Sequence, residues 1–112
     1  MFVKNIDTHE LAQWLKNETP PILIDVRTPQ EMAQASIPGG KPLPLNTLPL
    51  RLNEIPKDEQ VVFYCRTGAR SAQACMYLTQ QGYDNVYNLQ GGIINWARHG
   101  QAIEPMVIDV NA

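Results

Sequence analysis

Three short strand-like runs constrain this chain more than any other feature. Ile22-Leu23-Ile24-Asp25-Val26 and Gln60-Val61-Val62-Phe63-Tyr64 are nearly continuous in apolar residues, and Asn85-Val86-Tyr87-Asn88-Leu89 reads as a third strand. An apolar run without alternation predicts a strand buried on both faces, the usual state of a parallel sheet. Helical segments separate the runs. Asp7 and Glu10 form a capping box, followed by Leu11, Trp14 and Leu15 on one face, and Pro20-Pro21 ends that helix. Thr28 caps a short helix that begins at Pro29. Ser71 to Gln81 predicts a helix with Ala74, Cys75 and Leu78 in one stripe, stopped by Gly82. Gly91-Gly92 opens a last helix with Ile93, Trp96 and Ala97 on one face, and His99-Gly100 stops it. Alternating strands and helices predict an α/β domain with a mostly parallel sheet covered on both faces.

The chain has 112 residues, the size of one compact domain, read here as 1–112 with a core of about 7–100 and a tail of 101–112. Between the first two runs, Ile37-Pro38-Gly39-Gly40 is turn chemistry. Pro42, Pro44 and Pro49 predict an irregular stretch, with an extended segment near Leu43–Leu45. Leu48, Leu52 and Ile55 are expected to line a helix before Pro56. Met106-Val107-Ile108 in the tail is read as an edge strand or a docking segment. A formal net charge of −2 argues against a nucleic-acid binder. No apolar run approaches a membrane span, and no basic stretch precedes an apolar one at the start, so the cytoplasm is the expected location. The two cysteines, Cys65 and Cys75, form no Cys-x-x-Cys pair, and His9 and His99 have no metal-ligand spacing. No metal and no cofactor is expected.

The chemistry is concentrated in Cys65-Arg66-Thr67-Gly68-Ala69-Arg70-Ser71. A buried strand ends at a cysteine, a loop with one glycine follows, and a helix begins. Ligands of parallel α/β sheets bind beyond the carboxyl ends of strands. A helix start there offers unpaired N–H groups and the positive end of the dipole. A thiol in that position ionises more readily. Arg66 and Arg70 add positive charge that could hold an anion. Gly68 lets the backbone curl so that several N–H groups face one point. Together these residues describe a nucleophilic Cys65 in an anion cradle.

The same residues resemble the rhodanese family. Leu23-Ile24-Asp25-Val26-Arg27-Thr28-Pro29-Gln30-Glu31 is similar to its early motif, and Ile37-Pro38-Gly39 to the turn after it. Cys65 to Ser71 is similar to its active-site loop, and Leu89-Gln90-Gly91-Gly92-Ile93 with Trp96 to its closing motif. The family often has Gly-His before Ile-Pro-Gly, where this chain has Ala35-Ser36. The resemblance implies a three-layer α/β/α fold with a five-stranded parallel sheet. It also implies sulfur transfer through a Cys65 persulfide, from a small donor such as thiosulfate or a persulfide to a thiol or a protein acceptor. Arg66, Thr67, Gly68, Ala69, Arg70 and Ser71 are then the loop that binds substrate and persulfide.

Other readings stand beside these. Cys75, inside an apolar stripe, reads as a small buried hydrophobe. Arg66 is either a substrate contact or a solvated charge, and Arg70 either a substrate contact or the partner of a carboxylate. Asp25 and Arg27 read as residues that orient loops. Trp14 and Trp96 read as core, and Gly91-Gly92 as a close turn and not a phosphate site. A phosphatase or arsenate reductase on a related fold would also use a cysteine loop ending in arginine, but at Cys-x5-Arg, whereas Cys65 to Arg70 is Cys-x4-Arg. One more residue adds at most about 3.3–3.6 Å of chain, enough to widen the ring of N–H groups. A non-enzymatic module would lack the cysteine.

Overall fold

A computed structural model describes residues 2–106. In chain order the elements are β1 (Asn5–Ile6), α1 (Thr8–Trp14), β2 (Ile22–Asp25), α2 (Pro29–Gln34), β3 (Lys41–Pro42), β4 (Val61–Tyr64), α3 (Ala69–Gln80), β5 (Val86–Leu89) and α4 (Gly92–Arg98). Two 3-10 turns, Leu45–Leu50 and Leu52–Glu54, lie between β3 and β4. The strands form one five-stranded sheet in the order β1-β5-β4-β2-β3, and every neighbouring pair is parallel. The α/β fold with a parallel sheet is therefore as the sequence predicts.

The side chains of each strand alternate between two cores, as the period of two requires. Ile24, Val61, Phe63, Cys65 and Val86 face one side and pack with Ala74, Cys75 and Leu78 of α3 and with Leu48 and Ile55. Leu23, Val62, Tyr64 and Leu89 face the other and pack with Leu11 of α1 and Ile93 and Trp96 of α4. Val61, Val62, Phe63 and Tyr64 are all fully buried, so β4 is the centre of both layers. Among the described residues no helix is long and apolar enough to cross a membrane.

Several boundaries differ from the sequence reading. The capping box closes as predicted, with Asp7 accepting from the Glu10 amide at 2.8 Å, but α1 ends at Trp14, well before Pro20. Trp14 is only half-buried and meets Tyr87 edge-on at 5.1 Å. The extended segment expected near Leu43–Leu45 begins earlier, at Lys41–Pro42, although Leu43 and Leu45 still donate to Asp25 and Val26 carbonyls. The expected helix through Leu48, Leu52 and Ile55 is two 3-10 turns instead, because Pro49 has no N–H and breaks the ladder. Helix α3 starts at Ala69, ahead of the predicted Ser71, because Gly68 serves as its cap. The tail reading lies largely outside the described residues. Within them, Glu104 pairs with Ser36 in an antiparallel bridge, and the Met106 amide donates to Met32.

At the carboxyl end of β2, Asp25 and Arg27 form a buried ion pair of 2.7 Å, with side-chain exposures of 0% and 5%. Asp25 also accepts from the Arg27 amide at 2.9 Å, while the guanidinium donates to the Ala35 carbonyl at 2.7 Å and lies over the Tyr64 ring. The Tyr64 hydroxyl in turn accepts from the Ile37 amide at 3.0 Å. These bonds tie the loops after β2 to the end of β4. Removing Asp25 leaves Arg27 buried without its counter-charge, so Asp25→Ala should lose about 3–5 kcal/mol in urea unfolding. A loss below 1 kcal/mol would show that water reaches Arg27 and replaces the carboxylate.

Candidate active site

Cys65 is the first residue after β4, and its sequence parity points it at α3. Its sulfur accepts from the Gly68 amide at 3.1 Å and the Ser71 amide at 3.4 Å, and the Ser71 hydroxyl lies 3.4 Å from it. Gly68 caps α3 at φ +105°, a conformation that a side chain would strain, and this places the first amides of the helix around the sulfur. Burial pushes the Cys65 thiol up. The Ser71 hydroxyl and amide, with the amides of Gly68 and Thr67, outweigh it, so the thiol lies below its ordinary pKa. Cys75 shows the contrast: burial alone pushes it up to about 12. Both cysteines are free thiols, so the sulfur at Cys65 is not tied in a disulfide.

The loop is braced from behind by α4. The amides of Ile93 and Ile94 donate to the carbonyls of Cys65 and Arg66 at 3.0 and 3.2 Å. A trans peptide points its C=O and N–H in opposite directions. Drawing these two carbonyls toward α4 therefore turns the amides of Arg66 and Thr67 the other way, and the Thr67 amide adds a small share to the lowering of the thiol. Gly92 permits the approach: a Cβ there would lie 2.4 Å from the Arg66 carbonyl oxygen, at φ +60°. Gly91-Gly92 is thus a close turn, as read from the sequence, and its helix amides are occupied by the loop.

The two arginines of the loop differ. Arg70 is bidentate to Glu31 of α2, at 2.7 and 2.9 Å. Arg66 is exposed and lines a cleft of about 400 Å³ with Arg27, Ile93, Ile94, Ala97 and Ile103. Thr67 and Ala69 are also exposed, whereas Gly68 and Ser71 are buried. At the Gly-His positions of the resemblance, Ala35 accepts from Arg27, and Ser36 is buried with its hydroxyl on the Glu104 carbonyl at 2.9 Å.

Two residues of this neighbourhood were not singled out from the sequence. Glu31 holds Arg70 while also accepting from the Thr28 amide in the α2 capping box. The capping pattern signals its helix role but not its partner on α3. Asn88 of β5 is buried and accepts from the Ser71 hydroxyl at 2.5 Å. An asparagine in a buried strand is the only signal for it.

The sequence model described as Rhodanese-like domain matches residues 7–99. A sulfurtransferase of Allochromatium vinosum is 55% identical over 101 residues, covering 90% of this chain and 94% of that protein. The putative sulfurtransferase YtwF of Bacillus subtilis is 35% identical, covering 86% and 92%. Among solved structures, a rhodanese-like domain protein from Staphylococcus aureus superposes with a TM-score of 0.84 at 36% identity, covering 94% of this chain and all of that one.

The geometry makes two predictions. Iodoacetamide at neutral pH should label Cys65 and spare Cys75 until the protein unfolds. Gly92→Ala, which pushes α4 off the loop, should slow labelling of Cys65 at least about tenfold at pH 7, a loss of about 1.4 kcal/mol in thiolate stabilisation. An unchanged pH profile of labelling in folded Gly92→Ala would show that the brace does not set the loop. The second concerns acid. The hydrogen bond from Arg70 lowers the Glu31 carboxyl from 4.5 to about 2. A carboxyl lowered by folding contributes stability above its unfolded pKa and loses it as pH falls through the folded one. Glu31→Gln should therefore flatten the acid limb of the melting temperature between about pH 4.5 and 2. An unaltered limb would mean that the pair dissolves in solution.

Proposed function

The chain is a sulfurtransferase of the rhodanese-like domain family, and from that premise we propose that Cys65 carries the sulfur as a persulfide, taken from thiosulfate or a persulfide donor and passed to a thiophilic acceptor. The observation that carries this reading is the sulfur of Cys65 under the amides of Gly68 and Ser71 and the Ser71 hydroxyl. Those donors favour an anionic sulfur, and the thiolate is the nucleophile.

With thiosulfate, the Cys65 thiolate attacks the outer sulfur. The bond between the two thiosulfate sulfurs breaks, and sulfite leaves with the bonding electron pair. Cys65 then bears a terminal sulfur with one negative charge. The amides of Ala69 and Arg70, in the first turn of α3, have no intrahelical carbonyl and are available to that charge. In the second half, an acceptor thiolate or cyanide attacks the terminal sulfur and Cys65 leaves as thiolate. Arg66, exposed at the rim of the cleft, supplies the positive charge that attracts an anionic donor. The apolar wall of Ile93, Ile94, Ala97 and Ile103 gives room for the organic part of a larger donor or acceptor. A phosphoryl-transfer reading is disfavoured by Arg70: the guanidinium that such a cradle would aim at its substrate is held by both oxygens of Glu31.

Intact mass of the protein should rise by one sulfur atom after thiosulfate and fall back after a thiol reductant. Cys65→Ser should abolish both the adduct and sulfur transfer to cyanide, while Cys75→Ala keeps transfer close to wild type. Arg66→Ala should raise KM for thiosulfate about tenfold, equivalent to about 1.4 kcal/mol. Hydrolysis of p-nitrophenyl phosphate by the unaltered chain, with no adduct on Cys65, would overturn the reading in favour of a phosphatase.

A further inference from the structure

Behind Ser71 lies a chain of hydrogen bonds that the mechanism above does not use. The Ser71 hydroxyl donates to Asn88 Oδ1 at 2.5 Å, and Asn88 Nδ2 donates to Asn5 Oδ1 at 2.9 Å. Asn88 is 4% exposed, whereas Asn5 stands at the solvent-exposed edge of the sheet on β1. The pairing of Asn5 with Asn88 in the β1–β5 register aligns the two amides. Ser71 Oγ is also 3.4 Å from the Cys65 sulfur.

A serine hydroxyl has one hydrogen. While it points at Asn88, the face of Ser71 toward Cys65 offers only lone pairs. That arrangement suits a thiol, which donates, and not an anionic sulfur, which only accepts. For Ser71 to donate to the sulfur, something must donate to Ser71 or leave Asn88 Oδ1 buried without a partner, which is costly. A half-turn of the Asn88 amide meets the requirement, because it exchanges oxygen and nitrogen. Nδ2 then donates to Ser71 Oγ, and Oδ1 faces Asn5. Asn5, being exposed, turns its own amide to donate; this gives up the 3.3 Å bond from its Nδ2 to the Val3 carbonyl, and water replaces it there.

We propose that Asn88 is a positioning residue for the Cys65 sulfur, acting through Ser71, and that the chain Asn5–Asn88–Ser71 reverses its direction between the thiol and the anionic forms of that sulfur. This rests on Cys65 being the reacting sulfur. No proton travels along the chain: the thiol proton leaves to solvent or base, two amides turn over and one hydroxyl rotates. A run of aligned donors strengthens its last bond, so the anion gains more than Ser71 alone would give. Of the charged groups near the sulfur, Arg70 acts on it through space only, after its stronger pairing with Glu31. Arg70 on α3 is tied to Glu31 on α2, Arg66 on the loop is exposed, and Asp25 and Arg27 at the end of β2 close on each other. From β5 and α4 the sulfur's surroundings, Asn88 and Ile93, are neutral.

The decisive variant is Asn5→Asp. An ionised carboxylate only accepts, so it holds Asn88 Nδ2 toward β1 and Oδ1 toward Ser71, the direction that suits the thiol. The readout is the pH profile of Cys65 alkylation, not sulfur transfer, so a wrong sulfur carrier and a wrong relay give different results. Asn5→Asp should shift the profile upward and cut labelling at pH 7 by about three- to tenfold, the worth of one hydrogen bond. Asn5→Ala, which leaves Asn88 free to turn, should shift it far less. In a Ser71→Ala background Asn5→Asp should add nothing. An equal shift with and without Ser71 would mean a through-space charge effect and overturn the relay, as would no shift at all. Asn88→Leu, with the same heavy-atom branching but without donor or acceptor, gives a second cycle with Ser71→Ala: its shift should likewise vanish without the hydroxyl, and a shift that persists overturns the proposal.

Discussion

The carbonyls of Cys65 and Arg66 accept from the amides of Ile93 and Ile94, and the direction of the whole Cys65–Ser71 loop follows from that pair of bonds. A loop that begins at a strand end and must curl back on its own first side chain has no ladder to hold it. Here the neighbouring strand supplies the hold. Because β5 lies beside β4, the helix that follows β5 begins against the loop that follows β4. Gly92 removes the one side chain that would separate them. The first amides of α4 are thereby consumed, and those of α3 are left for the sulfur. Two adjacent helix starts thus face different partners, one the loop carbonyls and the other the Cys65 sulfur.

Charge at this end of the sheet is sorted in the same way. Arg27 neutralises Asp25 in the interior and orders the loop that carries Ala35. Arg70 joins α3 to α2 through Glu31. Both ion pairs fix the rim of the site without leaving net charge in it. Arg66 alone among these arginines makes no salt bridge among the described residues, although Glu31, held by Arg70, also lines the cleft. The positive charge at the rim and the amides around the Cys65 sulfur thus come from different groups.

What could be read from the sequence was whatever local rules decide. The capping box at Asp7, the cap at Thr28, the apolar runs of β2 and β4, and the strand–cysteine–glycine–helix pattern each need only a few neighbouring residues to be recognised. Strand β1 was invisible because two residues carry no periodicity: Asn5 and Ile6 are a strand only by pairing with Asn88 and Leu89. The Leu48–Ile55 stretch has a helical spacing of apolar residues, and both ends are buried as that spacing implies, but Pro49 decides the backbone. Glu31 and Asn88 escaped for a third reason. Each is explained locally, one by a cap and one by a strand, and their second partners come from elements far along the chain.

The two cysteines show how much of this chemistry is position. Both are almost fully buried, and both pack against the same core between the sheet and α3. Cys75 sits mid-helix, where each amide is already bound to the carbonyl four residues back, so nothing is left to meet a charged sulfur and burial acts alone. Cys65 sits across the start of the same helix, where the amides have no such carbonyl. Burial opposes the thiolate at both sites, but only at Cys65 is it answered by donors, the amides of Gly68 and Ser71 and the Ser71 hydroxyl. Cys65 differs from Cys75 because the sheet delivers it to the one end of α3 where the backbone is still unpaired, and the proposed role as nucleophile follows from that position.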